Sequence, residues 1–247
     1  MTKDIQKEFL STITHEIRTP LTSIRGFSQT MLDNWDKLPE DKKKQFIQII
    51  SEQSERLMKL LENVLNVAKI NSNENSTVLK EINLKSIIKK VLEMILVNNK
   101  NHEFILENLK ENLSVLGDVD SLQQILINIL ENATKYSEAG TKIEISTGSF
   151  KNYNFIKIQD EGVGISELDQ EKIFEKFYRS ESYISSKTQG SGLGLYIAQN
   201  LAKKMDGYIE IKSPYKKDGK ELKGSEFTVF LPMFEIEKIT QKVGENV

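Results

Sequence analysis

The 247-residue chain contains no cysteine. That excludes disulfide cross-links, thiolate nucleophiles and thiolate metal ligands, and it fits a reducing compartment. Histidine is almost as scarce, so any imidazole chemistry falls on His15 or His102. Neither sign of charge is in excess: 34 basic residues face 36 acidic ones, a net charge of −2, with no long block of one sign. Such a balance gives no basis for binding nucleic acid or an anionic membrane surface, and Lys42 to Lys44 read as a solvated helix face. Missing too are a run of about 18 apolar residues and the pattern of an export signal. No segment is therefore expected to span or contact a membrane, and the chain is expected to be cytoplasmic. What is present suffices for a core, since 38% of the residues are apolar and the length suits one large or two modest domains.

Apolar periodicity divides the chain. Ile5, Phe9, Ile13, Ile17, Leu21, Ile24, Phe27 and Met31 recur by fours and threes, the stripe of an amphipathic helix from Asp4 to about Asn34. At about 100° per residue, His15 falls roughly 160° from the centre of that stripe and should face solvent. Glu16 follows it, and Thr19 lies one turn further on the same face. Pro20 deletes a backbone donor, but the stripe continues beyond it, so the helix is expected to bend there and not stop. Asn34, Asp36 and Pro39 supply turn chemistry. A second helix over Asp41 to Ile70 carries Phe46, Ile50, Leu57, Leu61, Val64 and Ala68 at heptad-like intervals. A hairpin of two such arms leaves apolar surface that a second copy can cover, predicting a homodimer with a four-helix bundle.

Residues 1–71 form this first domain, and Asn71 to Thr77 reads as a polar linker. A second domain over 78–234 has a different texture, followed by a polar tail at 235–247 that is expected to fray. Strands are predicted at Val78 to Ile82, Phe104 to Leu106, Leu113 to Val115, Lys142 to Ser146, Phe155 to Gln159, Tyr208 to Ile211 and Phe227 to Leu231. Helices are predicted over Leu84 to Val97, from an Asp118 cap to about Lys135, and over Leu193 to Lys204. This order describes an α+β sandwich with helices on one face of a mixed sheet. No internal repeat is present.

Within it four patches carry chemistry. Asn128 and Asn132 share one helix face, ending at Lys135 and Tyr136; amide oxygens suit magnesium and the lysine suits phosphate. Asp160 in DEGVGI follows a strand, where it can accept hydrogen bonds from an exocyclic amine such as adenine's, while Gly162 and Gly164 let backbone approach a flat ring. IFEKFYR places Phe174, Phe177, Tyr178 and Arg179 before a polar stretch, Ser180 to Gln189, long enough for a mobile lid. Gly190, Gly192 and Gly194 then open a helix whose free donors can cradle phosphate.

Taken in order, THEIRTPL, ENATKYS, DEGVGI, IFEKFYR and GSGLGL closely resemble the H, N, first glycine, F and second glycine boxes of the transmitter region of bacterial two-component sensor histidine kinases. The resemblance runs from about Lys7 to Pro232. It implies a dimerisation and phosphotransfer hairpin followed by an ATP-binding domain of the type shared with gyrase, MutL and Hsp90. His15 is then similar to the phospho-acceptor that attacks the γ-phosphoryl of ATP, with Glu16 holding its Nδ1–H. Asn132, assisted by Asn128, would bind magnesium, Asp160 would read adenine, and Lys135 and Arg179 would neutralise phosphate charge. Thr19, in an E-x-x-T arrangement, is similar to the residue that orients water for dephosphorylating a response regulator receiver domain, the implied partner. Thr14 stands where serine is usual and Glu161 where Asn or Thr is commoner. No sensor, HAMP linker or membrane helix precedes Thr2, so the stimulus is not read here and a longer parent is expected to be membrane-anchored. Two alternatives have weaker support. An ATP-hydrolysing clamp of the same superfamily typically has a catalytic glutamate at the position held by Asn128. A decayed scaffold would not keep all the polar residues of the motifs. His102 has no acid-Thr-Pro context and is given no role.

Overall fold

Two long helices make the first unit of this computed structural model, which describes residues 3–71, 79–98, 101–180, 190–217 and 219–234. The chain divides into units of residues 1–73 and 74–247. Most of the expected linker, the lid stretch beyond Ser180 and the polar tail lie outside the described residues.

Helix α1 (Lys3–Asn34) runs unbroken through Pro20. Proline cannot donate to the Glu16 carbonyl, and beside that gap the Thr19 hydroxyl donates to the carbonyl of His15 at 3.3 Å. The Asn34 carbonyl accepts from the backbone N–H groups of both Lys37 and Leu38, closing the turn. Helix α2 (Glu40–Asn71) starts on Glu40 and Asp41 and carries Lys69 in its last turn, each sign complementing the helix dipole. Between the arms Ile13, Pro20, Met31, Leu60 and Val67 are buried, and the Phe27 and Phe46 rings meet at 5.0 Å.

The inward stripes differ from the expected ones by a step. Leu21 is 53% exposed and Leu61 43% exposed, while Pro20 and Leu60 fill those levels of the seam. Both helices offer apolar residues at adjacent positions, and a step of three in place of four turns the inward face by one residue. The displaced residues join others. Leu10, Leu21 and Leu32 lie exposed eleven residues apart on α1, and Ile47, Met58, Leu61 and Leu65 lie exposed along α2. At 100° per residue each set makes one outward stripe.

The second unit holds β1 (Lys80–Asn83), α3 (Leu84–Asn98), β2 (Glu103–Glu107), β3 (Ser114–Gly117), α4 (Val119–Tyr136), β4 (Lys142–Phe150), β5 (Tyr153–Asp160), α5 (Glu167–Gln170), α6 (Gly194–Lys204), β6 (Tyr208–Lys212), β7 (Tyr215–Lys217), β8 (Lys220–Leu222) and β9 (Ser225–Pro232). Five strands form one mixed sheet in the order β2-β4-β5-β9-β6, in which only β2 and β4 run parallel. Helices α3, α4 and α6 cover one face. Ile143, Ile145, Ile156, Ile158, Phe227, Val229 and Leu231 point into a core shared with Leu122, Ile125 and Ile129 of α4 and Ala198 of α6. Alternation puts Phe155, Tyr208 and Phe230 on the opposite face, where Phe230 stacks on Tyr208 at 4.6 Å and tilts against Phe155 at 5.6 Å.

Asp118 caps α4 by accepting from the Ser121 N–H, as its position predicts. Strands β4, β5 and β9 are longer than expected, because pairing with neighbours extends them past their most apolar residues. The β7–β8 hairpin was not anticipated. Its sequence is mostly lysine and glutamate, and it is held down by Tyr215, which is buried, and by Lys217 pairing with Glu107 and Glu144. Beyond Pro232 the chain stays attached through Phe234, whose N–H donates to the Ser114 carbonyl.

Candidate active site

In the hairpin, His15 is exposed on the outer side of α1 and Thr19 is exposed one turn later. Glu16, turned about 100° from His15, faces the other arm. There its Oε2 meets Nη2 of Arg56 at 3.3 Å, with both side chains about a quarter exposed (23% and 26%). Arg56 was not singled out from the sequence. The one available signal was a cation one residue before Leu57, in the inward register of α2.

In the second unit the glycine segments converge on the C-terminal half of α4. Asp160, at the end of β5, is 5% exposed. Its Oδ1 accepts from the N–H of Gly162 at 2.9 Å and of Ser225 at 3.2 Å. Burial pushes this carboxyl up to about 6, against the two backbone donors that favour its charged form. The turn after it is fastened on both sides. Val163 N–H donates to the Tyr136 carbonyl at 3.2 Å, and Ile165 N–H donates to Ser213 Oγ, which in turn donates to the Gly224 carbonyl. Gly162 sits so close that a Cβ there would stand 2.7 Å from Asp160 Oδ1 and from the Tyr136 carbonyl oxygen.

Lys135 extends from the last turn of α4, its Nζ donating to Tyr136 Oη at 3.0 Å and lying 4.7 Å over that ring. A Cβ on Gly190 would stand 2.6 Å from the same Nζ, so the second glycine segment is brought to the lysine. Gly192 has φ +68, and its carbonyl accepts from Phe177 N–H at 3.0 Å; Phe177 itself has φ 62. Arg179, half-buried, lies between Tyr178 and Ser180, whose hydroxyls both donate to Asp169 at 2.6 Å. Those hydrogen bonds, Ser180 first, hold the Asp169 carboxyl below its usual range. Helix α6 begins at Gly194 with no side-chain cap, so its first-turn N–H groups keep donor capacity. Sequence reasoning missed Ser213, Ser225 and Gly224, which fasten the first glycine segment from distant strands and turns, and Asp169 of α5, which holds Tyr178 and Ser180.

The two asparagines of α4 are differently placed. Asn128 is buried against Gly194; its Oδ1 accepts from Gln124 at 3.2 Å, and its Nδ2 has no partner among the described residues. Asn132, one turn on, is half-buried. The oxygen-donor chemistry magnesium prefers is therefore available at Asn132, while the Asn128 oxygen is already engaged. Among the described residues no cluster of three His, Asp or Glu side chains offers an alternative, and no helix is long and apolar enough to cross a membrane.

Comparison with known proteins places both units. Residues 5–73 match the His Kinase A (phospho-acceptor) domain. Residues 117–235 match the histidine kinase-, DNA gyrase B- and HSP90-like ATPase. The chain is similar to sensor protein KdpD of Clostridium acetobutylicum, with 32% identity over 207 residues, covering 83% of this chain and 23% of that protein. Sensor histidine kinase WalK of Bacillus subtilis shares 30% identity over 231 residues, covering 92% and 36%. Sensor protein kinase WalK of Staphylococcus aureus shares 31% over 207 residues, covering 83% and 49%. The chain thus spans less than half the length of these relatives. Among solved structures, histidine kinase ThkA in complex with response regulator protein TrrA superposes with a TM-score of 0.71 at 25% identity, covering 94% of this chain and 63% of that one. Acinetobacter baumannii histidine kinase AdeS gives 0.65 at 26%, covering 90% and 98%.

Proposed function

Because the chain belongs, through these two domains, to the histidine kinases of two-component signalling, we propose that it phosphorylates His15 from ATP and passes the phosphoryl group to an aspartate of a response regulator. The observation that carries this reading is His15 itself, exposed on a helix that continues through Pro20, inside the segment that matches a phospho-acceptor domain. A nucleophile that must meet first a nucleotide and then a second protein has to stand in the open.

In the phosphorylation step the Nε2 lone pair of neutral His15 attacks the γ-phosphorus, the bond from that phosphorus to the β,γ-bridging oxygen breaks, and ADP leaves with the electron pair. The ring, now cationic, gives up its Nδ1 proton to Glu16 and thence to solvent. Before attack Glu16 keeps the proton on Nδ1, leaving the lone pair on Nε2. In the second unit Asp160 accepts a hydrogen bond from the adenine amine, and Gly162 and Gly164 leave room for the ring. Tyr136 packs beside Lys135, and Lys135 and Arg179 face phosphate charge. Gly190, Gly192 and Gly194 present unobstructed backbone at the phosphates. Asn132, with Asn128 behind it, would hold a magnesium ion, which neutralises charge on the phosphates when bound.

The outward stripes Leu10-Leu21-Leu32 and Ile47-Met58-Leu61-Leu65 favour pairing of two hairpins as a homodimer. Thr19, exposed beside His15, suits orientation of water for dephosphorylating the regulator, a second activity of the same helix.

Incubation with γ-labelled ATP and magnesium tests the kinase reading. Acid-labile, base-stable label is expected on the unsubstituted chain and lost in His15→Ala and Asn132→Ala; label persisting in His15→Ala would sink it. For the second activity, decay of a phosphorylated regulator should slow with Thr19→Ala. An unchanged rate removes Thr19 from that role.

A further inference from the structure

We propose that Arg56 is a positioning residue for the phosphoryl transfer, acting through Glu16 on His15; this rests on the kinase reading above. The ion pair joins residues forty positions apart in sequence and links the two arms at the level of His15. Helical rotation explains its placement. His15 points outward, and the next residue, about 100° round, points at α2. What it meets is a cation in the inward register of that arm, one residue before Leu57 and one turn before the buried Leu60.

A seam built only for packing would carry a leucine or isoleucine there. A guanidinium three-quarters shielded from water is costly unless paired, and its partner here is the carboxylate adjacent to the nucleophile. The contact also divides the carboxylate. Arg56 Nη2 engages Oε2, and in the proposed arrangement Oε1 is the oxygen that would accept from His15 Nδ1. Nucleophile, acid and orienting cation would then act as a chain of three, in which the Arg56–Glu16 pair restrains the carboxylate next to His15. Without Arg56, Glu16 is free to swing towards solvent. The imidazole then loses the acceptor that selects its tautomer and receives its proton. The planar fork of arginine suits this task better than the point charge of lysine.

The test is kinetic, on the full chain with γ-labelled ATP. Arg56→Met should fold, since a methionine is compatible with the seam, and should lower the maximal rate of His15 labelling about tenfold or more. The KM for ATP should not change, because the nucleotide residues belong to the other unit. Arg56→Lys should recover part of the rate. In a Glu16→Gln background, Arg56→Met should have no further effect, as expected for two residues acting as one device. Three results overturn the proposal: a full rate in Arg56→Met, an effect that appears wholly in KM, or an undiminished loss in the Glu16→Gln background, which would make Arg56 act directly on phosphate. Should Arg56→Met not fold, Arg56→Lys alone decides, since it must fall between the unsubstituted chain and Glu16→Gln. Absence of His15-dependent label in the unsubstituted chain overturns the kinase reading itself, so the two failures are distinguishable.

Discussion

Asp160 holds its charge against its surroundings. Only two backbone N–H groups compensate for burial, and its carboxyl is pushed up to about 6 from an ordinary 3.8. A folded-state value above the unfolded one means that the native state binds the proton more tightly. This group's contribution to stability is therefore full below pH 3.8 and lost as pH rises through about 6. Lowering the pH from 7 to 5 should stabilise the second unit of the unsubstituted chain by about 1 kcal/mol relative to Asp160→Asn. Urea unfolding of both proteins at the two pH values measures this, and parallel curves would contradict it. Nucleotide binding should weaken over the same range, since a protonated carboxyl is a poorer acceptor for an amine. The position of Asp160, at a strand end before two glycines, was legible in the sequence. Its second donor, Ser225, was not legible, because no local pattern announces a partner 65 residues away.

At the scale of elements, glycines divide by what surrounds them. Gly26 lies inside α1 with nothing within 4 Å of a Cβ placed on it. Gly26→Ala should therefore raise the stability of the hairpin by about 0.5–1 kcal/mol through helix propensity alone, read as a higher unfolding midpoint. Gly192 is the reverse, with φ +68 and Phe177 backbone carbon 2.7 Å from the site of a Cβ. Gly192→Ala should disturb the contact between the F box and the second glycine segment and lower nucleotide affinity several-fold, measured with a fluorescent ATP analogue. Equal affinity would show that this close approach is dispensable. Periodicity identified both long helices and the Asp118 cap because those signals are local. It misjudged which apolar residue of each adjacent pair, Pro20 or Leu21 and Leu60 or Leu61, turns inward, because that choice is made by the opposite arm. The Arg56 partner of Glu16 escaped for the same reason, and β7–β8 escaped because its residues are charged and its anchors lie on other strands.

For the molecule as a whole, the exposed apolar stripes of the hairpin are the proposed dimer interface. Met58→Asp with Leu65→Asp places charge on the α2 stripe and should convert a dimer to a monomer in sedimentation, while ATP affinity in the second unit stays unchanged. A dimer surviving both substitutions would move the interface elsewhere. The second unit has a different dependence. Strand β9 pairs with β5 on one edge and β6 on the other and is buried along nearly its whole length, although it is the final strand of its sheet in sequence. The hairpin is made of contiguous residues and can close as soon as it leaves the ribosome. The sheet must wait, its β5 and β6 edges bare until residue 232 emerges. Limited proteolysis of nascent chains arrested at increasing lengths should find the hairpin resistant early and the second unit only at the end. On the kinase reading proposed above, the half assigned the acceptor histidine is thus assembled before the half assigned the nucleotide, and a chain interrupted between the two would be an acceptor without a donor.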